Sequence, residues 1–215
     1  MRTRIKICCI ASVEEARLAI KYGADAVGLV SKMPNGPGPI PDWLIAEIAK
    51  IIHPPVASFL LTSKQSSEEI IHHVSRVGTN TVQIVDELTA GTYRDIHVSL
   101  PYLKIVQVIH VTGEESIEQA IRISSDVDAL LLDSGTPKAA IKTLGGTGNI
   151  HDWEISREIV RNVKVPVFLA GGLNPLNIRR AIEIVNPFGV DVCSGVRTNG
   201  LLDAGKLKNF ITAVV

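Results

Sequence analysis

The sequence has no excess of charge of either sign. Its 22 basic and 22 acidic residues give a formal net charge of zero, so nothing recommends nucleic acid as a partner. Hydrophobic residues make up 46% of the 215 positions, which argues against a disordered chain. We therefore expect an ordered protein whose ligand is a small molecule.

Cysteine is scarce, with three residues at Cys8, Cys9 and Cys193. Two adjacent cysteines and one distant one provide neither a disulfide framework nor the spacing of metal ligands, and they fit a reducing cytosol. For the scattered histidines we expect solvated or capping roles rather than a metal site. These six residues are His53, His72, His73, His97, His110 and His151.

The sequence also lacks a segment that would direct it to or across a membrane. Its basic start, Met1 to Lys6, leads into an apolar run of only about five residues, too short for a signal peptide or a membrane span. There is no linker and no low-complexity tract. We expect a cytoplasmic protein with one domain over residues 1–215.

Apolar runs and helical patterns alternate along the whole chain. Eight apolar runs predict strands at residues 5–10, 24–30, 56–61, 81–85, 103–109, 129–132, 165–170 and 189–193. Helical periodicity and capping residues predict helices at residues 13–22, 42–52, 67–77, within 88–99, and at 114–123, 153–160, 175–185 and 204–214. Proline and glycine at residues 34–41 instead predict a mobile or shaped loop.

This alternation predicts the fold class. Continuous apolar strands that alternate with helices are typical of a parallel sheet buried on both faces. Eight such units favour closure into a single-domain α/β barrel, the (β/α)8 or TIM barrel, over an open sheet.

Two strands near the end of the chain stop at small residues that predict a phosphate site. One run, Phe168 to Asn174, contains Gly171 and Gly172, and the other, Gly189 to Val196, contains Ser194 and Gly195. Such turns expose backbone N–H groups to an anion, and the last two strands of a barrel usually carry its phosphate site. The alternative is that the glycines only form tight turns between strand and helix.

Other polar side chains follow the predicted strands one and six. Cys8 and Cys9 end strand one, and alternation along a strand predicts that one of the two points into the barrel mouth. Asp133 follows Leu132 at the end of strand six, where a buried carboxylate needs a partner, a ligand or a proton. A thiolate and a carboxylic acid at the mouth could serve as general base and general acid on a sugar phosphate. The alternatives are inert packing for either cysteine and a helix cap or loop hydrogen bond for Asp133.

Five segments in this order resemble the successive motifs of the phosphoribosylanthranilate isomerase family, over essentially the whole chain. They are Lys6-Ile7-Cys8-Cys9-Ile10, Leu131-Leu132-Asp133-Ser134, Gly145-Gly146-Thr147-Gly148 with Asp152-Trp153, Phe168-Leu169-Ala170-Gly171-Gly172-Leu173, and Gly189-Val190-Asp191-Val192-Cys193-Ser194-Gly195-Val196. The resemblance implies a TIM barrel, monomeric or homodimeric, without cofactor or metal. Its reaction would be the Amadori rearrangement of N-(5′-phosphoribosyl)anthranilate to 1-(o-carboxyphenylamino)-1-deoxyribulose 5-phosphate in tryptophan biosynthesis.

The resemblance also implies roles for particular residues. Asp133 would protonate the furanose ring oxygen as general acid, and Cys8 would remove the proton from C2 as general base. Gly171, Gly172, Ser194 and Gly195 would bind the phosphate. The loop with Gly146 and Gly148 would close over the substrate.

Four positions depart from the family pattern. Cys9 stands where the family usually has glycine, and the loop at residues 32–39 lacks the family's serine-proline-arginine sequence, whose arginine binds the anthranilate carboxylate. Lys32 could supply charge there but not the bidentate geometry. Val85-Asp86 stands where the family has a histidine-glycine pair, and Arg197 stands at a glutamate position. The alternatives are therefore a barrel that acts on another phosphorylated sugar, or a non-catalytic barrel that binds a phosphorylated metabolite.

Overall fold

Eight parallel strands close into a barrel in the computed structural model, which describes residues 2–34, 36–134 and 152–215. Each strand pairs with its neighbour in sequence, and β8 pairs with β1 to close the ring. The strands are β1 (Arg4–Ile7), β2 (Ala26–Val30), β3 (Ala57–Thr62), β4 (Thr81–Ile84), β5 (Lys104–His110), β6 (Ala129–Asp133), β7 (Val167–Leu169) and β8 (Gly189–Val192). The predicted barrel is confirmed.

Eight α-helices surround the barrel in the described part of the chain. They are α1 (Val13–Tyr22), α2 (Asp42–Ile51), α3 (Ser67–Val77), α4 (Tyr93–Ser99), α5 (Glu115–Ser124), α6 (Trp153–Asn162), α7 (Ile178–Val185) and α8 (Ala204–Val214). None of these helices combines the length and the apolar character needed to cross a membrane.

The alternation of side chains along each strand divides the apolar residues into two cores. In β6, Leu130 and Leu132 pack between barrel and helices, whereas Ala129 and Leu131 face the barrel interior. Asp133 continues the inward-facing series at the carboxyl end of the strand. This is why a polar side chain at such a position reaches the barrel mouth.

Several element boundaries differ from the sequence prediction, and one element was not predicted. The first strand ends at Ile7 rather than at residue 10, because Cys9 adopts a left-handed backbone conformation with φ of 60°. Helix α7 begins at Ile178 rather than at residue 175, because Asn177 Oδ1 accepts from the Asn174 backbone N–H at 2.8 Å and forms a turn there. After β8 the chain forms a short 3-10 turn and a two-stranded ribbon of β9 (Arg197–Thr198) and β10 (Leu201–Leu202), which was not predicted.

The expectation of solvated histidines is wrong for His73 and His110. His73 is buried, and its Nε2 lies 3.1 Å from Asp42 Oδ1, while the buried His110 places Nε2 3.0 Å from the Val85 carbonyl oxygen. Their positions on α3 and β5 direct both side chains into the protein interior. The polarity of their neighbours in the sequence does not reveal this. Across the described residues, no cluster of histidine, cysteine and carboxylate side chains has the arrangement of a metal site.

Candidate active site

A pocket at the carboxyl ends of the strands brings together most of the residues that the sequence singled out. Cys8 follows β1, Asp133 ends β6, Gly171 and Gly172 follow β7, and Ser194 follows β8. The lining also includes Cys9, Val30, Met33, Gly36, Pro37, Leu61, Gln83, Ala170, Leu173, Asp191, Val192 and Cys193. Parallel strands end at one edge of the barrel, so residues far apart in sequence meet there.

Cys8 lies at the base of this pocket, with 5% of its surface exposed. Its backbone N–H donates to the Val192 carbonyl at 2.8 Å, which ties the residue to β8. A Cβ atom at Gly28 on β2 would lie 2.8 Å from Cys8 Sγ and 3.1 Å from Lys6 Nζ. Glycine at position 28 therefore leaves the space that the thiol and the ammonium occupy, as a glycine inside a strand often does.

Cys9 also lines the pocket, which corrects the expectation that only one of the two cysteines would face it. Strand alternation no longer applies, because Cys9 lies beyond the end of β1 and has a φ of 60°. Its thiol lies 3.7 Å from the Pro37 carbonyl oxygen. A Cβ at Gly38 would lie 2.7 Å from Cys9 Cβ, which is too close for two carbon atoms. The proline- and glycine-rich loop can therefore pack on Cys9 because residue 38 is a glycine.

The thiols of Cys9 and Cys193 shift each other's pKa in opposite directions. A hydrogen bond with Cys193, a second with Cys8, and burial together raise the pKa of Cys9. The same contact with Cys9 lowers the pKa of Cys193, against the effect of burial and with help from the positive charge of Arg197. The Cys9 thiol is therefore held in its neutral form.

Beneath the two thiols, Lys6 and Asp191 form an ion pair inside the barrel. Lys6 Nζ lies 2.9 Å from Asp191 Oδ1 and 5.1 Å from the centre of the Phe59 ring, and the lysine side chain is fully buried. Burial alone would lower the pKa of Lys6, but the Asp191 carboxylate and the nearby thiols raise it above its ordinary value. The Asp191 carboxylate therefore favours the charged form of Lys6.

Sequence reasoning missed both members of this pair as site residues. The available signal was a charged residue in an otherwise apolar strand, which is rare unless the charge is paired. Lys6 occupies the middle of β1 and Asp191 the middle of β8. The pairing itself follows from barrel closure, which places the first strand beside the last.

Asp133 reaches the pocket from β6. Its carboxylate Oδ1 accepts a hydrogen bond from the Ser134 backbone N–H at 2.7 Å. Burial raises the pKa of Asp191 against the effect of Lys6, and the Asp133 carboxylate adds to this rise. The acid candidate and the base candidate thus line the same cavity from different strands.

The glycine turns after β7 and β8 form another wall of the pocket. Gly171 and Gly172 have φ angles of 82° and 64°, a conformation that side-chain-bearing residues rarely adopt. Ser194 lines the pocket beside them, whereas Gly195 does not. A Cβ at Gly195 would lie 2.0 Å from the Leu173 carbonyl oxygen, so this glycine lets the two turns pack together. Gly146 and Gly148 lie outside the described residues.

Arg197 and Glu15 form a second ion pair on the rim of the barrel. Arg197 Nη1 and Nη2 lie 3.1 and 2.9 Å from the two carboxylate oxygens of Glu15, and both side chains are largely buried. Burial raises the pKa of Glu15, but hydrogen bonds from Arg197 and from the Leu202 and Ala11 N–H groups lower it below its ordinary value. Glu15 is therefore held ionised in the folded protein.

The comparisons with known sequences agree on one family. Residues 5–213 match the family model described as N-(5′phosphoribosyl)anthranilate (PRA) isomerase. N-(5′-phosphoribosyl)anthranilate isomerase 2 of Methanosarcina mazei is 40% identical over 210 residues, which cover 97% of this chain and 92% of that protein. The isomerase of Methanocella arvoryzae is 34% identical over 194 residues, which cover 90% and 89%.

Solved structures of the same kind share the fold. Phosphoribosyl anthranilate isomerase from Thermotoga maritima matches with a TM-score of 0.81 and 30% identity, over 99% of this chain and 98% of that one. A phosphoribosyl anthranilate isomerase in complex with reduced 1-(o-carboxyphenylamino)-1-deoxyribulose 5-phosphate matches with a TM-score of 0.78 and 28% identity, over the same shares.

The crowded contact at Gly28 generates a prediction about the pocket. We expect Gly28→Ala to push on the Cys8 thiol and the Lys6 ammonium and to lower the free energy of unfolding by about 1–3 kcal/mol. Urea denaturation measures the loss, and alkylation of Cys8 followed by mass spectrometry measures the displaced thiol. Gly205→Ala in α8 is the matched control, because its nearest neighbour would be 3.3 Å away. Unchanged stability and unchanged alkylation in Gly28→Ala would contradict this account.

The lowered pKa of Glu15 predicts a pH-dependent contribution to stability. Since the folded pKa lies below the ordinary value of 4.5, the stabilisation is present above that pH and is lost as the pH falls below it. We expect Glu15→Gln to lower the free energy of unfolding at pH 7, and this difference from wild type to shrink at pH 4. Urea denaturation at both pH values measures it. Glu158→Gln, which removes an exposed pair with Arg161, is the control with little effect at either pH.

Proposed function

The chain belongs to the N-(5′-phosphoribosyl)anthranilate isomerase family, and we propose that Cys8 is the general base and Asp133 the general acid of the reaction that it catalyses. That reaction converts N-(5′-phosphoribosyl)anthranilate to 1-(o-carboxyphenylamino)-1-deoxyribulose 5-phosphate in tryptophan biosynthesis. The observation that carries the proposal is the single pocket lined by Cys8, Asp133 and the two glycine turns.

The two residues supply the two proton transfers that an Amadori rearrangement requires. Asp133 gives its proton to the furanose ring oxygen, the C1–O bond breaks, and the anthranilate nitrogen forms an iminium with C1. The positive iminium makes the hydrogen on C2 acidic, and the Cys8 thiolate removes it to form an enolamine. The enolamine gains a proton at C1 and loses one from the C2 hydroxyl, which yields the ketone. Exchange with solvent then returns Asp133 to the acid and Cys8 to the thiolate.

The turns after β7 and β8 bind the phosphate in this proposal. Gly171, Gly172 and Ser194 face the pocket with little side chain in the way of the backbone. The N–H groups of such turns bind anions, and this end of a TIM barrel is where phosphate commonly binds. Gly195 contributes by letting the two turns approach each other.

We place the anthranilate carboxylate toward the loop after β2, where the family's arginine is missing. Met33 lines both the central pocket and a neighbouring cavity of about 760 Å³, which is also lined by Lys32 and Lys64. Lys64 is paired with Glu69 at 3.1 Å, whereas Lys32 is exposed and has no ion-pair partner within the described residues. Lys32 is therefore the cation that we assign to the carboxylate.

We place the enzyme in the cytoplasm. Its three cysteines are free thiols, and unpaired cysteines persist in reducing compartments. Assembly as a monomer or a homodimer stays a prediction.

The direct test is turnover of freshly prepared phosphoribosylanthranilate, followed by the loss of its anthranilate-type fluorescence. We expect Cys8→Ala and Asp133→Asn each to lower kcat by about 10²- to 10⁴-fold, because each removes one proton transfer. Circular dichroism and the thermal midpoint establish that the variants remain folded. Cys9→Gly should keep most of the turnover, because this thiol takes no proton in the mechanism. Full activity in Cys8→Ala or Asp133→Asn would refute that residue's role.

The assignment of Lys32 has a separate test. We expect Lys32→Met to raise KM for phosphoribosylanthranilate while kcat changes little, because the carboxylate lies away from the reacting carbons. Steady-state kinetics measure both constants. Lys50→Met, at the last turn of α2, is the matched control in which neither constant should change. An unchanged KM in Lys32→Met would assign the carboxylate to another cation.

A further inference from the structure

Arg197 makes two contacts that the ion pair with Glu15 does not explain. Its Nη2 donates a short hydrogen bond to the Cys9 carbonyl oxygen, while Nη1 donates to the Gly200 carbonyl at 2.8 Å. The arginine side chain is only 9% exposed. One guanidinium thus connects the end of β1, helix α1 and the ribbon after β8.

Glu15 holds this guanidinium in a fixed orientation. Its carboxylate accepts both Arg197 N–H groups together with the N–H of Ala11 at 3.0 Å and the N–H of Leu202 at 2.9 Å. A planar guanidinium that meets a carboxylate through two parallel bonds has little freedom to rotate. The remaining donor direction of Nη2 is therefore aimed at the Cys9 carbonyl.

The Cys9 carbonyl is a point where the backbone needs support. Cys9 has a φ of 60°, a conformation that residues with a Cβ atom rarely adopt. If Cys9 relaxed to an extended conformation, the peptide that links it to Cys8 would rotate, and the Cys8 thiol would turn with it. On the other side of this turn, the Cys8 N–H is bonded to the Val192 carbonyl and the Ile10 N–H to the Gly28 carbonyl at 3.0 Å.

We propose that Arg197 is a positioning residue for the base: together with Glu15 it anchors the Cys9 carbonyl and so keeps the Cys8 thiol directed into the pocket. This inference rests on the proposed role of Cys8. Arg197 does not need to touch the substrate, because it acts through the backbone of Cys9. Its loss would therefore reduce kcat more than it changes KM.

A double-mutant cycle with Cys9→Gly tests the inference. Glycine adopts a positive φ without a steric penalty, so the turn then depends less on its anchor. We expect Arg197→Met to lower kcat by about 10-fold or more in the wild-type background, and by less than about 3-fold in the Cys9→Gly background. The alkylation rate of Cys8, measured by mass spectrometry, should change in parallel. Equal losses of kcat in the two backgrounds, or no loss in either, would overturn the proposal.

Two further variants keep the test decisive. Arg197→Lys retains a cation next to Glu15 but cannot form the two parallel bonds and reach the Cys9 carbonyl, so it replaces Arg197→Met in the cycle if that variant does not fold. Arg161→Met removes an exposed arginine that pairs with Glu158 at 3.0 Å, and it should leave kcat unchanged.

The Cys8→Ala variant separates this inference from the proposed function. Full turnover in Cys8→Ala would overturn the role of Cys8 as base and the positioning role with it. Loss of turnover in Cys8→Ala, combined with equal effects of Arg197→Met in both backgrounds, would overturn the positioning role alone.

Discussion

The ion pair between Lys6 and Asp191 lies at the seam where the barrel closes. The two residues are direct partners in the pairing of β1 with β8, and both are buried. Burying two charges is costly, and the loss of one partner would leave the other uncompensated, so the pair requires accurate closure of the seam. That closure also brings Cys8, which follows β1, and Ser194, which follows β8, into the lining of one pocket, with the Lys6 ammonium near the thiols. The pocket depends on this one contact between the ends of the chain.

Above the seam, residues of three separate segments surround Cys9. Gly38 lacks the Cβ that would collide with the Cys9 side chain, Arg197 binds the Cys9 carbonyl, and Cys193 raises the pKa of the Cys9 thiol. The proline- and glycine-rich loop, the arginine after β8 and the adjacent cysteines therefore form one structural unit.

Much of the fold could be predicted from local patterns, because each strand is a continuous apolar run and each helix has periodicity and caps. The alternation of Leu130, Leu131 and Leu132 already places Asp133 on the inner face. The end of β1 could not be predicted in the same way, because Cys9 takes a conformation that a side-chain-bearing residue rarely adopts. The roles of Lys6, Gly28 and Arg197 were missed, since each depends on a neighbour that is remote in sequence.

By itself, the sequence determined the rhythm of eight strand-and-helix units, the polar residues at the strand ends and the family that these residues resemble. Those properties are local or depend on residue order, so they can be read without coordinates. The tertiary structure alone decided that both Cys8 and Cys9 face the pocket. It also decided that Gly195 packs against Leu173 and does not line the pocket, and that Arg197 reaches the Cys9 carbonyl. These outcomes depend on distances of a few ångströms between distant segments, which are set only when the barrel closes.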